Sequence, residues 1–373
     1  MLTESYHSEV VADIKNSDFC YQSGRLTLHL AREFGFCYGV DRAVDYAYQT
    51  RKRFPDRRVF LTGEIIHNPH VNDQLRAQDI RFLSDADTSV AELNSDDVVI
   101  LPAFGVTIED LLRFERRGCT LVDTTCGSVL NVWKNVRRYA TEGFTSVIHG
   151  KRRHEETQAT ASQAMHTGEG RYLIVLDREE ATLACDYIRN RVDRAAFLER
   201  FREATSPDFD PDRDLERIGC ANQTTMLSSE SLVIGEMFRE AVSDRYGLDS
   251  LAHRFQTFDT ICSATQDRQD AVLALLDEQV LDFMLVVGGY NSSNTTNLAR
   301  LCATRVPTYH LAEPGCLVST DEIRHKPVGQ AHEISTPAWL PGGRGIRVGL
   351  TAGASTPDNL VGQAVTRLAT LVG

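Results

Sequence analysis

Three cysteines stand in settings that suit chemistry better than packing. Cys37 lies between two glycines, after a short apolar segment and before a helical pattern. Cys126 and Cys262 each end an Asp-Thr-x-Cys sequence, at residues 123–126 and 259–262, and each is also followed by a helical pattern. Flanking glycines let a backbone turn tightly and approach a bulky group. A strand–cysteine–helix unit that occurs three times indicates three similar modules, each presenting one thiolate to a common centre.

Three thiolates from distant positions fit two kinds of centre. One is Zn²⁺ with an open fourth position, and the other is a [4Fe–4S] cluster with one iron left for substrate. The all-sulfur donor set favours the cluster, because catalytic zinc sites usually include histidine. The remaining six cysteines lack the glycine or Asp-Thr framing and are expected to be structural: Cys20, Cys119, Cys185, Cys220, Cys302 and Cys316.

Polar loops follow three of the apolar strand candidates. Residues 286–294 end in Ser292, Ser293 and Asn294, residues 351–357 contain Ser355, and residues 221–225 contain Thr224. Hydroxyls, amides and small residues at a helix N-terminus form cradles for phosphate. Each loop alone is more often an ordinary turn with a helix cap. Walker A, GxGxxG and GxSxG motifs are absent, so nothing in the sequence favours a nucleotide-binding or serine-hydrolase function.

Two histidines and one glutamate add to this set. His67 and His154 each follow a strand candidate, and each has the chemistry to donate to a phosphate oxygen. Glu156 is a candidate proton donor if burial raises its pKa. The neighbouring segment Lys151-Arg152-Arg153 is, by default, a solvated basic patch.

The composition excludes several classes of protein. The chain has 373 residues, with 52 Asp and Glu against 40 Lys and Arg, a formal charge of −12. This acidic balance argues against nucleic acid or an anionic membrane as the main partner. The sequence shows neither a membrane-spanning apolar run nor a signal or transit peptide, so a cytoplasmic location is expected. Nine cysteines without a CxxC pair argue against a disulfide framework.

The alternation of β-rich and amphipathic runs predicts an α/β fold with mainly parallel sheets. The predicted strands are Arg58–Leu61, Asp97–Leu101, Thr120–Val122, Thr145–His149, Tyr172–Leu176, Phe283–Val287 and Arg347–Leu350. The predicted helices include 8–14, 128–139, 229–246 and 264–279. We predict an N-terminal extension (1–25) and three α/β modules (26–126, 127–258 and 259–373), with a charged surface insertion at 187–215 in the second module.

Eight segments taken together resemble one family. In chain order they are GFCYGVDRA, EIIHNP, DTTC, HGKRRHEET, NQTTML, TICSATQDRQ, VVGGYNSSN and TAGASTPD. The chain resembles the LytB/IspH family of 4-hydroxy-3-methylbut-2-enyl diphosphate reductases from about residue 30 to residue 360. Several variants, and the charged insertion, are similar to its longer plant and cyanobacterial branch.

The resemblance implies a trefoil of three α/β modules around a central cluster. It also implies roles for residues of this chain. Cys37, Cys126 and Cys262 would hold one [4Fe–4S] cluster per chain, and Glu156 would relay protons while Thr224 orients the substrate hydroxyl. The diphosphate would be bound by His67, His154, Ser292, Ser293, Asn294 and Ser355.

Two positions depart from the family pattern. Phe104 stands where many bacterial members have a histidine that donates to the diphosphate, although the longer branch shares the Phe. Gly127 stands where the family usually has proline after the second cysteine, which could loosen that turn.

The implied activity is reductive dehydroxylation of (E)-4-hydroxy-3-methylbut-2-enyl diphosphate to isopentenyl and dimethylallyl diphosphate, the last step of the methylerythritol phosphate route to isoprenoids. Electrons would come from an external ferredoxin or flavodoxin, which basic clusters at 51–53, 57–58 and 151–153 could receive. Two rival hypotheses are a non-catalytic iron–sulfur or zinc redox sensor and a cluster-dependent hydro-lyase. The sensor has no use for phosphate-binding loops, and the lyase needs no reductant.

Overall fold

A computed structural model of the chain describes residues 5–258, 260–342 and 345–373. Asp259, which opens the third cysteine motif, lies outside the described residues, as do residues 1–4 of the predicted extension. The chain divides into two compact units. Unit 1 comprises Met1–Arg51, Glu64–Asp79 and Ser263–Gly373, and unit 2 comprises Lys52–Gly63 and Ile80–Cys262.

The strands of the described ranges are numbered in chain order. They are β1 (Cys20–Ser23), β2 (Leu26–Leu30), β3 (Val59–Leu61), β4 (Ile80–Phe82), β5 (Val98–Leu101), β6 (Thr120–Asp123), β7 (Thr145–His149), β8 (Tyr172–Val175), β9 (Ile218–Asn222), β10 (Phe255–Thr257), β11 (Phe283–Val287), β12 (Thr308–Leu311), β13 (Glu322–His325), β14 (Ile334–Pro337) and β15 (Ile346–Ala352).

The α-helices are numbered in the same way. They are α1 (Glu9–Asn16), α2 (Tyr38–Arg53), α3 (Pro69–Ala77), α4 (Ile108–Arg116), α5 (Gly127–Thr141), α6 (Glu155–Ala164), α7 (Arg178–Ile188), α8 (Arg194–Phe201), α9 (Pro211–Asp214), α10 (Ser228–Tyr246), α11 (Leu251–Arg254), α12 (Ser263–Glu278), α13 (Ser293–Ala303) and α14 (Asp358–Val372). Short 3₁₀ turns span Val90–Glu92, Leu248–Ser250 and Pro314–Cys316.

Unit 1 is built on one five-stranded sheet with the order β1-β2-β15-β11-β12. All neighbouring pairs are parallel except the β1–β2 hairpin. The central strands β11 and β15 are apolar and buried on both faces, as expected for parallel strands covered by helices. A separate antiparallel hairpin, β13–β14, belongs to the same unit.

Unit 2 contains two four-stranded parallel sheets. Their orders are β4-β3-β5-β6 and β10-β9-β7-β8. In the first sheet, β3 leads through α3 to the outer strand β4, and β5 leads through α4 to the outer strand β6. In the second sheet, β7 leads through α6 to β8, and β9 leads through α10 and α11 to β10. The order in which strands are added to the sheet therefore reverses between β3 and β5 and between β7 and β9. Ligands of open α/β sheets bind at such switch points.

The same strand arrangement recurs in unit 1. There β11 leads to β12, β15 occupies the place of β5 and β9, and β2 occupies the place of β6 and β10. A candidate cysteine follows each of β2, β6 and β10. The prediction of similar α/β modules with mainly parallel sheets is confirmed.

Seven predicted strands are present, and their ends differ from the prediction by at most two residues. The contiguous module boundaries at 26–126, 127–258 and 259–373 stay a prediction. The sheet of unit 1 combines β1 and β2 with strands beyond residue 280, so a module defined by that sheet takes its cysteine strand from near the start of the chain. The order of strands in a sheet depends on contacts between distant parts of the chain, and hydrophobic periodicity along the sequence does not predict it.

Two predicted peripheral segments contribute to the cores instead. Val11 and Ile14 of helix α1 are buried in the main apolar cluster of unit 1, so the predicted extension is an integral part of that unit. The segment 187–215 was predicted to be a surface insertion, but its aromatic residues Phe197, Phe201 and Phe209 pack in the core of unit 2. Its charged residues lie between these anchors and gave the misleading signal.

In the described part of the chain, no helix combines the length and the apolar character that crossing a bilayer requires.

Candidate active site

The three candidate cysteines share a position at the start of a helix. Cys126 is the N-terminal capping residue of α5, while Cys37 and Cys262 directly precede α2 and α12. Backbone N–H groups at a helix N-terminus favour negative charge, which suits a thiolate. None of the three is in a disulfide, and all three are partly exposed.

The three turns also share one backbone hydrogen bond. In each, the cysteine N–H donates to a carbonyl in the loop that follows the neighbouring strand: Cys37 to Ala354 (3.2 Å), Cys126 to Ala103 (2.8 Å) and Cys262 to Thr224 (3.5 Å). The loops concerned follow the equivalent strands β15, β5 and β9. The repeat that the sequence indicates is therefore a repeat of local geometry, and it places each thiol in the same relation to its own sheet.

Burial separates four of the other six cysteines from these three, whereas Cys20 and Cys119 are partly exposed like the candidates. Cys185, Cys220, Cys302 and Cys316 are buried, and none of the nine cysteines is in a disulfide. Desolvation raises the pKa of Cys185 to about 12 and that of Cys302 to about 12. Because the thiolate is the form that binds metal, such burial disfavours a ligand role and agrees with a structural one.

A cradle of hydroxyl and amide groups lies in unit 1 at the carboxyl ends of β11 and β15. Ser292 caps α13 and accepts from the Thr295 N–H (3.3 Å). Ser355 Oγ lies 3.4 Å from Ser292 Oγ, and the Asn294 Oδ1 accepts from the Ala354 N–H (2.9 Å). The hydroxyl of Ser293, a residue only 2% exposed, has no hydrogen-bond partner. A buried hydroxyl without a protein partner, at a helix N-terminus, is a donor suited to an anion.

His67 is held against this cradle by two contacts. The Ser355 hydroxyl donates to the His67 carbonyl (3.2 Å). The Glu64 carboxylate accepts from the His67 Nδ1 (2.8 Å) and from the Asn291 Nδ2 (2.7 Å). Glu64 thus orients the imidazole and links it to the loop before α13. The segment Glu64–Asp79 belongs to unit 1, so these contacts lie within one unit.

The close approach of the His67 backbone to the loop before α13 explains the glycine at position 289. A Cβ added at Gly289 would lie 2.7 Å from the His67 carbonyl oxygen. A side chain there would push His67 away from the cradle, so the second glycine of the Val-Val-Gly-Gly segment is required by packing.

Unit 2 places a buried carboxylate at the equivalent helix start. His154 caps α6, and its Nδ1 accepts from the Glu156 N–H (3.2 Å), so the ring proton is on Nε2. Glu156 is 2% exposed, and its Oε1 accepts from the Thr224 N–H at 2.5 Å. Thr224 is the residue whose carbonyl receives the Cys262 N–H. His154, Glu156, Thr224 and Cys262 are therefore connected within one unit.

The structure shows what surrounds Phe104 and Gly127, the two positions that depart from the family pattern. Phe104 packs edge-on against the His154 ring, with centroids 6.2 Å apart, and offers no donor in place of a histidine. Gly127 is the first residue of α5, and a Cβ there would meet nothing within 4 Å. The turn that carries Cys126 keeps its backbone hydrogen bond to Ala103.

The predicted site residues divide between the units. Unit 1 holds Cys37, His67, Ser292, Ser293, Asn294 and Ser355, and unit 2 holds Cys126, His154, Glu156, Thr224 and Cys262. Sequence reasoning missed Glu64, although it lies in the same motif as His67, three residues earlier. It also missed Thr260, whose hydroxyl is hydrogen-bonded to Asn222. The repeated Asp-Thr sequence before Cys126 and Cys262 is the signal that could have identified it.

Comparisons with known proteins agree on one family. A family model described as LytB protein matches residues 28–369. A 4-hydroxy-3-methylbut-2-enyl diphosphate reductase of Synechococcus sp. (strain RCC307) is 49% identical over 370 residues, covering 98% of this chain and 89% of the relative. The reductase of Synechococcus sp. (strain CC9311) is 47% identical over 374 residues, covering 99% and 92%.

Solved structures give the same fold. A structure described as (E)-4-hydroxy-3-methyl-but-2-enyl diphosphate reductase, the terminal enzyme of the non-mevalonate pathway, matches with a TM-score of 0.53 at 26% identity, covering 92% of this chain and 99% of that one. A diphosphate reductase from Plasmodium falciparum has a TM-score of 0.67 at 21% identity, covering 91% and 87%, and its likeness concerns the fold alone.

Proposed function

The chain belongs to the LytB family, and from that premise we infer that it reduces (E)-4-hydroxy-3-methylbut-2-enyl diphosphate to isopentenyl and dimethylallyl diphosphate, the last step of the methylerythritol phosphate route. The observation that carries the inference is the match of almost the whole chain to reductases at close to half identity. The resemblance predicted from the eight motifs is confirmed, including its likeness to cyanobacterial members.

The enzyme is an oxidoreductase of an iron–sulfur family, and we propose that Cys37, Cys126 and Cys262 hold one [4Fe–4S] cluster. Their chemistry fits: each thiol is outside any disulfide, partly exposed and placed at a helix start by the same backbone hydrogen bond. When bound, such a cluster supplies electrons and a Lewis-acidic iron for the allylic oxygen. The protein's part is to fix three soft ligands and leave a fourth position for substrate.

We propose that the diphosphate binds to Ser292, Ser293, Asn294, Ser355, His67 and His154. The unpartnered Ser293 hydroxyl and the N-terminus of α13 provide donors without a competing carboxylate on the same turn. Holding the diphosphate fixes the allylic carbon relative to the reacting oxygen, and positioning of this kind supplies a large part of the rate.

Glu156 is proposed to hold the proton that converts the hydroxyl into water. The net reaction takes up two electrons and two protons, breaks the allylic C–O bond, forms one C–H bond and releases water. The Thr224 N–H fixes one carboxylate oxygen of Glu156, so that the acid has a defined direction. Burial of the Glu156 side chain keeps bulk water from competing for the proton. We propose that the Thr224 side chain orients the substrate hydroxyl.

The electron donor is proposed to be a ferredoxin or flavodoxin. Of the basic clusters in the sequence, the pair Arg57 and Arg58 makes structural contacts within unit 2. Arg57 donates to the carbonyls of residues 95–97, and Arg58 forms an ion pair with the buried carboxylate of Asp97. Of the cluster at 51–53, Arg51 is only 13% exposed and lies 4.0 Å from the Asp79 carboxylate. A docking surface would therefore use residues 52–53 and 151–153, and charge reversal there should lower the ferredoxin-driven rate and its salt dependence.

The test is an anaerobic assay of cluster-loaded protein with the substrate and a strong one-electron reductant. Reductant-dependent formation of both five-carbon diphosphates supports the proposed function. Protein with full iron and sulfide that yields neither product would contradict it, and product formation without reductant would favour a hydro-lyase.

A further inference from the structure

The three cysteine turns are anchored by different side chains. Two residues before Cys126, the Thr124 hydroxyl donates to the Leu101 carbonyl (2.6 Å). The corresponding Thr260, two residues before Cys262, is bonded through its hydroxyl to Asn222. The corresponding position before Cys37 is Gly35, which has no side chain. Its φ is +75°, so the turn needs glycine and cannot use the threonine anchor.

A buried arginine takes over this anchoring. Arg268, on α12, is 4% exposed. Its Nε and Nη2 both donate to the Gly35 carbonyl (3.2 and 2.7 Å), and its Nη1 donates to the Ala264 carbonyl (2.7 Å). One guanidinium thus ties the Cys37 turn to the first turn of the helix that begins directly after Cys262.

The charge of Arg268 has no ion pair within the described residues, although the Asp358 carboxylate, which pairs with Lys15, lies beside the Gly35 turn. The guanidinium stays charged in proteins, and within residues 5–258, 260–342 and 345–373 no carboxylate forms an ion pair with it. Burial of an ion that has only carbonyl partners is unfavourable unless negative charge lies nearby. The thiolate ligands of an iron–sulfur cluster would add negative charge at this turn.

We propose that Arg268 is a positioning residue for the iron–sulfur cluster: it anchors the Cys37 turn and places a fixed positive charge at that turn. The inference rests on the proposed function, because it takes Cys37 as a cluster ligand. A buried cation stabilises the more negative, reduced state of a cluster, and net charge is one of the factors that set cluster potentials. Residues that orient metal ligands also typically contribute 10- to 100-fold to metal affinity.

Two variants separate the anchor from the charge. Arg268→Gln removes the charge and most of the fork, whereas Arg268→Lys keeps the charge and loses the two-pronged contact with Gly35. Arg305→Gln is a matched control in the same unit, because Arg305 is exposed and pairs with Asp277 at the surface. Each protein is reconstituted anaerobically and assayed for iron and sulfide content, rate of iron loss to a chelator, midpoint potential and thermal unfolding of the apoprotein.

We expect Arg268→Gln to have a lower midpoint potential and to lose iron about ten times faster or more. Arg268→Lys should keep a potential close to that of the unsubstituted protein but still lose iron faster, and Arg305→Gln should match the unsubstituted protein in both. If Arg268→Gln proves too unstable to isolate, the lysine variant decides: unchanged iron loss would overturn the anchoring role.

An Arg268→Gln protein with the potential and the iron loss of the control would overturn the inference while leaving the proposed function intact. Failure of the unsubstituted protein to take up iron and sulfide would instead overturn the proposed function, and the inference with it.

Discussion

Asn294 of unit 1 and Glu156 of unit 2 occupy the same place in two equivalent modules. Each is the second residue of the helix that follows a middle strand, and each side-chain oxygen accepts a backbone N–H from the loop after the neighbouring strand. The donors, Ala354 and Thr224, are the residues whose carbonyls receive a cysteine N–H. One scaffold thus carries an amide in one module and an acid in the other.

The difference separates two tasks. Around Asn294 the neighbouring groups are hydroxyls and N–H donors, which suit a diphosphate and would be opposed by a carboxylate. Glu156 has the same hydrogen bond and similar burial, but it can hold and release a proton. Under the proposed roles, the chemistry would depend on which side chain occupies a repeated position, not on a different fold around it.

Conversion of the amide into an acid should have a large effect on substrate binding. In Asn294→Asp the new carboxylate can still accept from the Ala354 N–H, so the fold should persist, but at the proposed site it would face the diphosphate. Like charges in contact cost several kcal/mol, which corresponds to a loss of about a hundredfold or more in affinity. Calorimetric titration with inorganic diphosphate would measure this loss, with iron content as the control for folding. Unchanged affinity would remove Asn294 from the diphosphate site.

Loss of the Ser293 hydroxyl should weaken binding without weakening the protein. Its Oγ has no partner in the ligand-free structure, so Ser293→Ala removes a desolvated group and should leave the thermal stability of the apoprotein equal or slightly higher. A hydrogen bond to a charged ligand is worth about 1.5–3 kcal/mol, so diphosphate affinity should fall about tenfold to a hundredfold. A variant that loses stability and keeps its affinity would contradict this assignment.

Crowding of the cradle should destabilise unit 1. A Cβ at Gly353 would lie 1.9 Å from the Thr295 Oγ1, so Gly353→Ala forces that turn apart at a cost of about 1–3 kcal/mol. Gly342→Ala is the control, because a Cβ there meets nothing within 4 Å. Chemical denaturation of both variants would show the difference, and equal midpoints would mean that the loop adapts freely.

The smallest effect is expected at Gly127. Proline suits the first position of a helix, and a Cβ at Gly127 has open space, so Gly127→Pro should stabilise the protein by about 0.4–1 kcal/mol. Denaturant titration would detect this change. A destabilised variant would show that the glycine serves the Cys126 turn in another way.

Local pattern predicted much of this arrangement. The strands Thr145–His149 and Phe283–Val287 were predicted with their observed ends, because they are short apolar runs bounded by turn residues. The three cysteines were identified from the repeated frame. Arg268 was not, because its partner Gly35 is 233 positions away and nothing local marks the pair. The core role of segment 187–215 was missed because its charge obscured three well-spaced phenylalanines.

The substitution Glu156→Gln tests most directly whether Glu156 supplies the proton. The glutamine amide can accept the Thr224 N–H as Asn294 accepts its own donor, so the cluster content and spectrum should match those of the unsubstituted protein. Steady-state turnover under anaerobic conditions should fall by about 10²–10⁴-fold, the range expected for loss of a general acid. Near-normal turnover with a full cluster would show that the proton comes from elsewhere.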